Sequence, residues 1–165
     1  MLDTTAAPWD TEVMVERILG LDVGTKTIGV AVSDPFGSMA LGVTTIQRRD
    51  LARDLADLAD LVAVYNASRL VVGYPRNMDG SIGDQARFVD RFVESLRASI
   101  ALPVELVDER LTTRQANRAM LDLQVKAKRR KELIDQQAAA LILQTYLDRR
   151  ARAAREAEPS ASSEE

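Results

Sequence analysis

Residues 17–34 read Arg-Ile-Leu-Gly-Leu-Asp-Val-Gly-Thr-Lys-Thr-Ile-Gly-Val-Ala-Val-Ser-Asp, and they predict two strands joined by a tight turn. Ile18, Leu19, Leu21 and Val23 form an apolar run dense enough for a central strand covered on both faces. Ile28, Val30, Ala31 and Val32 form a second, with Gly24-Thr25-Lys26 as the turn between them. Asp22 falls inside the first strand. A carboxylate there is costly to bury unless it is paired or holds a metal. Taken alone, Asp22 is a brace for the Gly24 turn; its company elsewhere in the chain points to chemistry.

Outward from this hairpin, Val43-Thr44-Thr45-Ile46 predicts a third strand. From Asp50 the period changes. Leu51, Leu55, Leu58, Val62 and Tyr65 mark the apolar face of a helix. Arg69–Gly73 is a short buried strand that empties into a polar loop from Tyr74 to Ser81. A second helix starts near Asp84, with Phe88, Val89, Phe92, Val93 and Leu96 on one face. Pro103–Val107 is a fifth strand, ending at Asp108-Glu109-Arg110. Thr112 with Gln115 is a capping-box pattern for a third helix, and a last helix begins near Glu132. The fold class is therefore α/β: a mixed five-stranded sheet, three antiparallel strands then two parallel, with helices on both faces. Residues 1–15 are expected to be a flexible extension, 16–155 the folded domain and 156–165 a disordered tail rich in Pro, Ser, Ala and Glu. Met14 lies just ahead of the first strand and is an alternative start.

Composition narrows the chemistry. The chain has 165 residues, 46% hydrophobic and 28% charged, enough for one domain with a sizeable core. It contains no Cys and no His. That excludes a thiolate nucleophile, a disulfide framework, an imidazole base and a zinc site built on either residue. Acid–base or metal chemistry must come from Asp, Glu, Lys or Tyr, and clustered carboxylates select a hard cation, Mg²⁺ or Mn²⁺. No apolar run approaches a membrane span and the N-terminus lacks a secretory signal, so a cytoplasmic location with no membrane partner is expected.

Net charge is −3, yet nine of the 22 basic residues crowd toward the C-terminus. Lys126, Lys128, Arg129, Arg130 and Lys131 come first, then Arg149, Arg150, Arg152 and Arg155. Local patches rather than net charge decide where a polyanion docks. The first cluster is either a solvated linker between helices or a feed for a nucleic-acid strand. Aromatic content of 4% argues against a base-stacking platform and for sequence-independent recognition.

Three carboxylates are placed to work together. Asp22 is on the first strand, and Glu109 follows the fifth at a carboxyl end, where open α/β sheets build their sites. Asp135 precedes Ala139, Ile142 and Tyr146 on the sheet-facing side of the last helix. Asp108 competes with Glu109, but strand alternation lets one of the two reach the site, and Glu109 is preferred. Such a trio, neutralised by one or two divalent ions, is a clamp for in-line attack of water on a phosphodiester. Lys26, Arg76, Asn77 and Arg110 are candidates for holding phosphates, and Lys128, Arg129 and Arg130 for binding the strand.

Four segments resemble the YqgF (RuvX) family, RNase H-like bacterial proteins related to the RuvC Holliday junction resolvase. They are Leu21–Asp34, Val71–Ser81, Val107–Thr113 and Ile134–Leu147, in family order, and the resemblance spans about residues 17–148. It implies an RNase H-like fold and a catalytic, metal-binding set at Asp22, Glu109 and Asp135. It also implies maturation of the 5′ end of pre-16S rRNA, with junction resolution on branched DNA as the older proposal. Asp22-x-Gly24-Thr25 also looks like the phosphate motif of the actin, sugar-kinase and heat-shock chaperone ATPases. Those hold nucleotide between two such halves, and this chain supplies one. A non-catalytic RNA-binding assembly factor is the third possibility. A trimming enzyme works as a monomer or weak homodimer, whereas a resolvase needs a two-fold pair of sites.

Overall fold

The computed structural model describes residues 16–110 and 127–158. In chain order they form β1 (Arg17–Val23), β2 (Thr27–Ser33), β3 (Ala40–Gln47), α1 (Leu51–Tyr65), β4 (Ala67–Arg76), α2 (Asp84–Ser99), β5 (Val104–Arg110) and α3 (Ala127–Ala157). The sheet order is β3-β2-β1-β4-β5. β1, β2 and β3 pair antiparallel, while β1, β4 and β5 are parallel. This is the mixed five-stranded sheet that the hairpin and the later β-α-β units predict. The helix expected from Thr112 and the 1–15 extension lie outside the described residues.

β1 is central and its apolar run is buried throughout. One face of the sheet packs on α1 and α2 through Leu19, Leu21, Val30, Leu70, Leu58 and Val89. The other packs on α3 through Ile18, Ala31, Val71 and Val107 against Ala139, Ile142, Leu143 and Leu147. At roughly 25 cal/mol per Å² of buried apolar surface, these two layers are the main stabilising contribution.

Several details depart from the expectations. Leu51 is 44% exposed and does not join the core, whereas Asp54 is 1% exposed. The helix begins at Leu51, with the side chain of Asp50 capping the amide of Arg53 at 2.9 Å, so its first apolar residue is at the exposed N-terminal end. β4 does not stop at Gly73. Tyr74, Pro75 and Arg76 continue it, in register with Asp108, Glu109 and Arg110. Pro75 is tolerated because it lies past the end of β1, which leaves one side of β4 without a strand to bond. α3 starts at Ala127 rather than near Glu132, so Arg129–Lys131 belong to its first turns and not to a linker. It also continues through Ala157, two residues past the expected domain end.

α3 lies unusually close to the sheet, and glycines make the approach possible. A Cβ on Gly29 would overlap the carbonyl oxygen of Asp135, and one on Gly20 would come within 2.7 Å of the Leu143 Cβ. Gly in a strand interior is otherwise unfavourable and marks such a contact. Ala138 and Ala139, both buried on the helix side, complete the fit.

Candidate active site

Strand alternation decides which acidic residues share a face. Asp22 pairs with Gly29 across the hairpin, and Gly29 touches the backbone of Asp135. Leu21 pairs with Val72, which sets Asp22 level with Gly73, itself paired with Val107. Val107 belongs to the α3-side core, so Glu109, two residues on, points the same way. Its Oε2 lies 3.0 Å from where a Gly73 Cβ would be. Asp108 is in register with Tyr74, which packs on the α1/α2 side, and is exposed. Asp22, Glu109 and Asp135 are 7%, 8% and 9% exposed.

The three are not equally close. Asp22 and Asp135 line one open cleft of about 400 Å³, together with Lys26, Thr27, Phe88 and Lys131. Glu109 is on the same sheet face but is not among the residues lining that cleft. Among the described residues no three acidic side chains converge tightly enough to hold a metal ion as they stand. Thr27 Oγ1 donates to Asp135 Oδ2 at 2.8 Å. That bond orients the carboxylate across 108 residues of chain, and no local pattern singles Thr27 out.

The donor chemistry fits a hard divalent cation. Two buried carboxylates flank one cleft, oxygen is the sole ligand type there, and Lys26 and Lys131 at the rim suit an anionic substrate. Of the other predicted site residues, Lys26 is exposed on the β1–β2 turn. Arg76 and Asn77 end β4 away from the cleft lining. The Arg76 guanidinium sits 5.7 Å over the Tyr74 ring, and Asn77 closes its own loop by donating to Ser81 Oγ at 2.9 Å. Arg129 is exposed and pairs with Glu132 at 3.6 Å, and Arg130 is half-buried. Arg110 closes β5 and Lys128 falls in the first turn of α3.

Arg48 is another residue that sequence reasoning missed. Its Nε pairs with the buried Asp54 at 2.9 Å and its Nη1 donates to the Gly24 carbonyl at 2.9 Å. Its backbone amide donates to the Lys26 carbonyl, also at 2.9 Å. Arg48 thus ties the cleft-forming turn to α1. Arg48→Lys keeps the charge but loses the planar fork. It should cost about 1 kcal/mol and lower the thermal midpoint by roughly 2–4 °C, measurable by calorimetry.

The RuvX family model, described as a Holliday junction resolvase, matches residues 16–149. The chain belongs to the RuvX family. Among its relatives, the Moorella thermoacetica protein named "Putative pre-16S rRNA nuclease" is 58% identical over 133 residues, 81% of this chain and 95% of that one. A Clostridium acetobutylicum protein of the same name is 49% identical over 80% of this chain and 98% of its own length. RuvX membership accords with the fold. Thermus thermophilus RuvC bound to a Holliday junction substrate superposes with a TM-score of 0.52 at 13% identity, over 82% of this chain and 96% of that one. No helix among the described residues is long and apolar enough to cross a membrane.

Proposed function

We propose that this RuvX chain is a divalent-metal-dependent nuclease that hydrolyses phosphodiester bonds, acting on the 5′-extended precursor of 16S rRNA. One observation carries the proposal. Two buried carboxylates from opposite ends of the chain, Asp22 and Asp135, flank a single cleft rimmed by Lys26 and Lys131. Carboxylates that share one cleft offer the oxygen donors a hard divalent cation takes.

Asp22 and Asp135 would hold Mg²⁺ or Mn²⁺, with Glu109 next along the same face as a further oxygen donor. When bound, the ion supplies Lewis-acid activation of water and of the phosphoryl oxygens. The chain's own residues do the rest. Thr27 fixes the Asp135 carboxylate. Lys26 and Lys131 hold the phosphates on either side of the bond to be cut, and Arg76, Asn77 and Arg110 contact the strand as it leaves. Lys128, Arg129 and Arg130 guide it in along the first turns of α3. One chain carries the full set, so a monomer suffices for trimming.

Replacing Lys128, Arg129 and Arg130 together with Ala should weaken RNA binding and reduce the magnitude of the log K against log salt slope by about 2 to 3. Fluorescence anisotropy at several salt concentrations would show it, and an unchanged slope would remove this patch from the path.

A second substrate, the four-way DNA junction, has support from the family description and from the fold shared with RuvC. Competition decides between them. Purified protein offered a 5′-extended rRNA fragment and a four-way junction, each with Mg²⁺, Mn²⁺ or EDTA, should cut the RNA in metal only. Preferential, symmetric cutting of the junction would reassign the substrate. Cutting of neither would favour the assembly-factor role.

A further inference from the structure

We infer that the Phe88 ring is a stacking subsite for one unpaired nucleobase, next to the phosphate that the acidic residues address. This rests on the nuclease reading for where that phosphate lies. Phe88 shares the cleft lining with Asp22, Asp135, Lys26 and Lys131. Phe88 is only partly buried against the α1/α2-side core, so it gives a cleft lined mostly by polar residues one aromatic surface on which a flat base can stack. At about 400 Å³ the cleft falls within the size range of small-ligand sites, about 300–1,000 Å³.

The ring is held from behind. The Arg48 guanidinium lies 5.4 Å over Phe88 and 5.2 Å over Phe92, and it is itself fixed by Asp54 and the Gly24 carbonyl. Phe88 also lines a smaller hollow of about 200 Å³ together with Arg48 and Phe92, so it borders both that hollow and the cleft. A base entering the cleft would complete an Arg48–Phe88–base stack. Stacking of this kind accepts any base, because every base has a π-face. With aromatics so scarce, one ring serves one base and not a platform. The consequence is a substrate preference: the nucleotide beside the cut must be unpaired, which disfavours uninterrupted duplex.

The test uses the Asp22→Asn chain, expected to bind without cutting, and an RNA oligonucleotide spanning the precursor boundary. 2-Aminopurine is placed in turn at each position. Quenching on binding is expected at one position. It should vanish in Asp22→Asn/Phe88→Leu, with affinity falling roughly 5- to 100-fold, and persist in Asp22→Asn/Phe88→Tyr. An abasic residue at that position should weaken binding of the Asp22→Asn chain by the same factor, a measurement that needs no change at Phe88. Quenching at no position, quenching that survives Phe88→Leu, or indifference to the abasic residue would each overturn the subsite. The readout is binding, so it is separable from the nuclease reading. Phe88-dependent quenching with no cleavage by the wild-type chain would sink that reading and leave the subsite standing.

Discussion

Asp22→Asn should lower the rate of RNA cleavage by about 10³-fold or more while leaving the fold and most of the RNA affinity in place. The substitution is nearly isosteric, and the other residues of its strand from Ile18 to Val23 are apolar or Gly and buried, so the packing of β1 against β2 and β4 survives. What is lost is one negative oxygen donor from a cleft that has Asp135 as its other buried carboxylate. A metal ion's share of transition-state stabilisation is several kcal/mol, and about 4 kcal/mol corresponds to about 10³ in rate. Affinity carried by Lys and Arg contacts to phosphate is a separate contribution. Single-turnover cleavage beside anisotropy binding separates the two. Wild-type cleavage by Asp22→Asn would remove Asp22 from the site.

The second large effect is on structure and site together. Gly29→Ala adds one methyl group, directed at the carbonyl oxygen of Asp135. The clash is with helix backbone, so no rotamer change relieves it and α3 must lift from the sheet. Overpacking of this kind costs about 3 kcal/mol at its upper end, which for a chain of this size is roughly 6–12 °C in thermal midpoint. Lifting α3 also moves Asp135 away from Thr27, whose hydroxyl it accepts from at 2.8 Å. Cleavage should therefore fall further than the loss of folded protein explains, when both are measured below the midpoint. A variant with an unchanged midpoint would show that α3 does not rest on Gly29.

The architecture was legible because its signals are local. Apolar runs around Asp22 marked the hairpin, and the change of period at Asp50 marked the first helix. The acidic positions were legible for a different reason, since a charge inside an apolar pattern stands out. Asp22 interrupts a strand, and Asp135 shares a helical stripe with Ala139 and Ile142. Alternation along β5 then separates Glu109 from Asp108.

What escaped is what depends on partners distant in sequence. Asp54 sits among Asp57 and Asp60 on a charged helix and reads as solvated. Its burial follows from Arg48, six residues earlier, folding back over it. Thr27 follows the predicted turn with nothing in its neighbours to mark it, and only the approach of α3 gives its hydroxyl a carboxylate to hold. Phe88 fits the apolar stripe of α2, yet it is partly buried and borders the cleft. Pro75 reads as a strand breaker, and the strand continues because β1 has already ended.

Calorimetric titration of Mn²⁺ into the wild-type chain, Asp22→Asn and Asp135→Asn, with no nucleic acid present, tests the cation site directly. If the two carboxylates are a cation site, the wild type binds Mn²⁺ saturably and each single substitution weakens or abolishes that binding. Equal Mn²⁺ binding by all three proteins would contradict it.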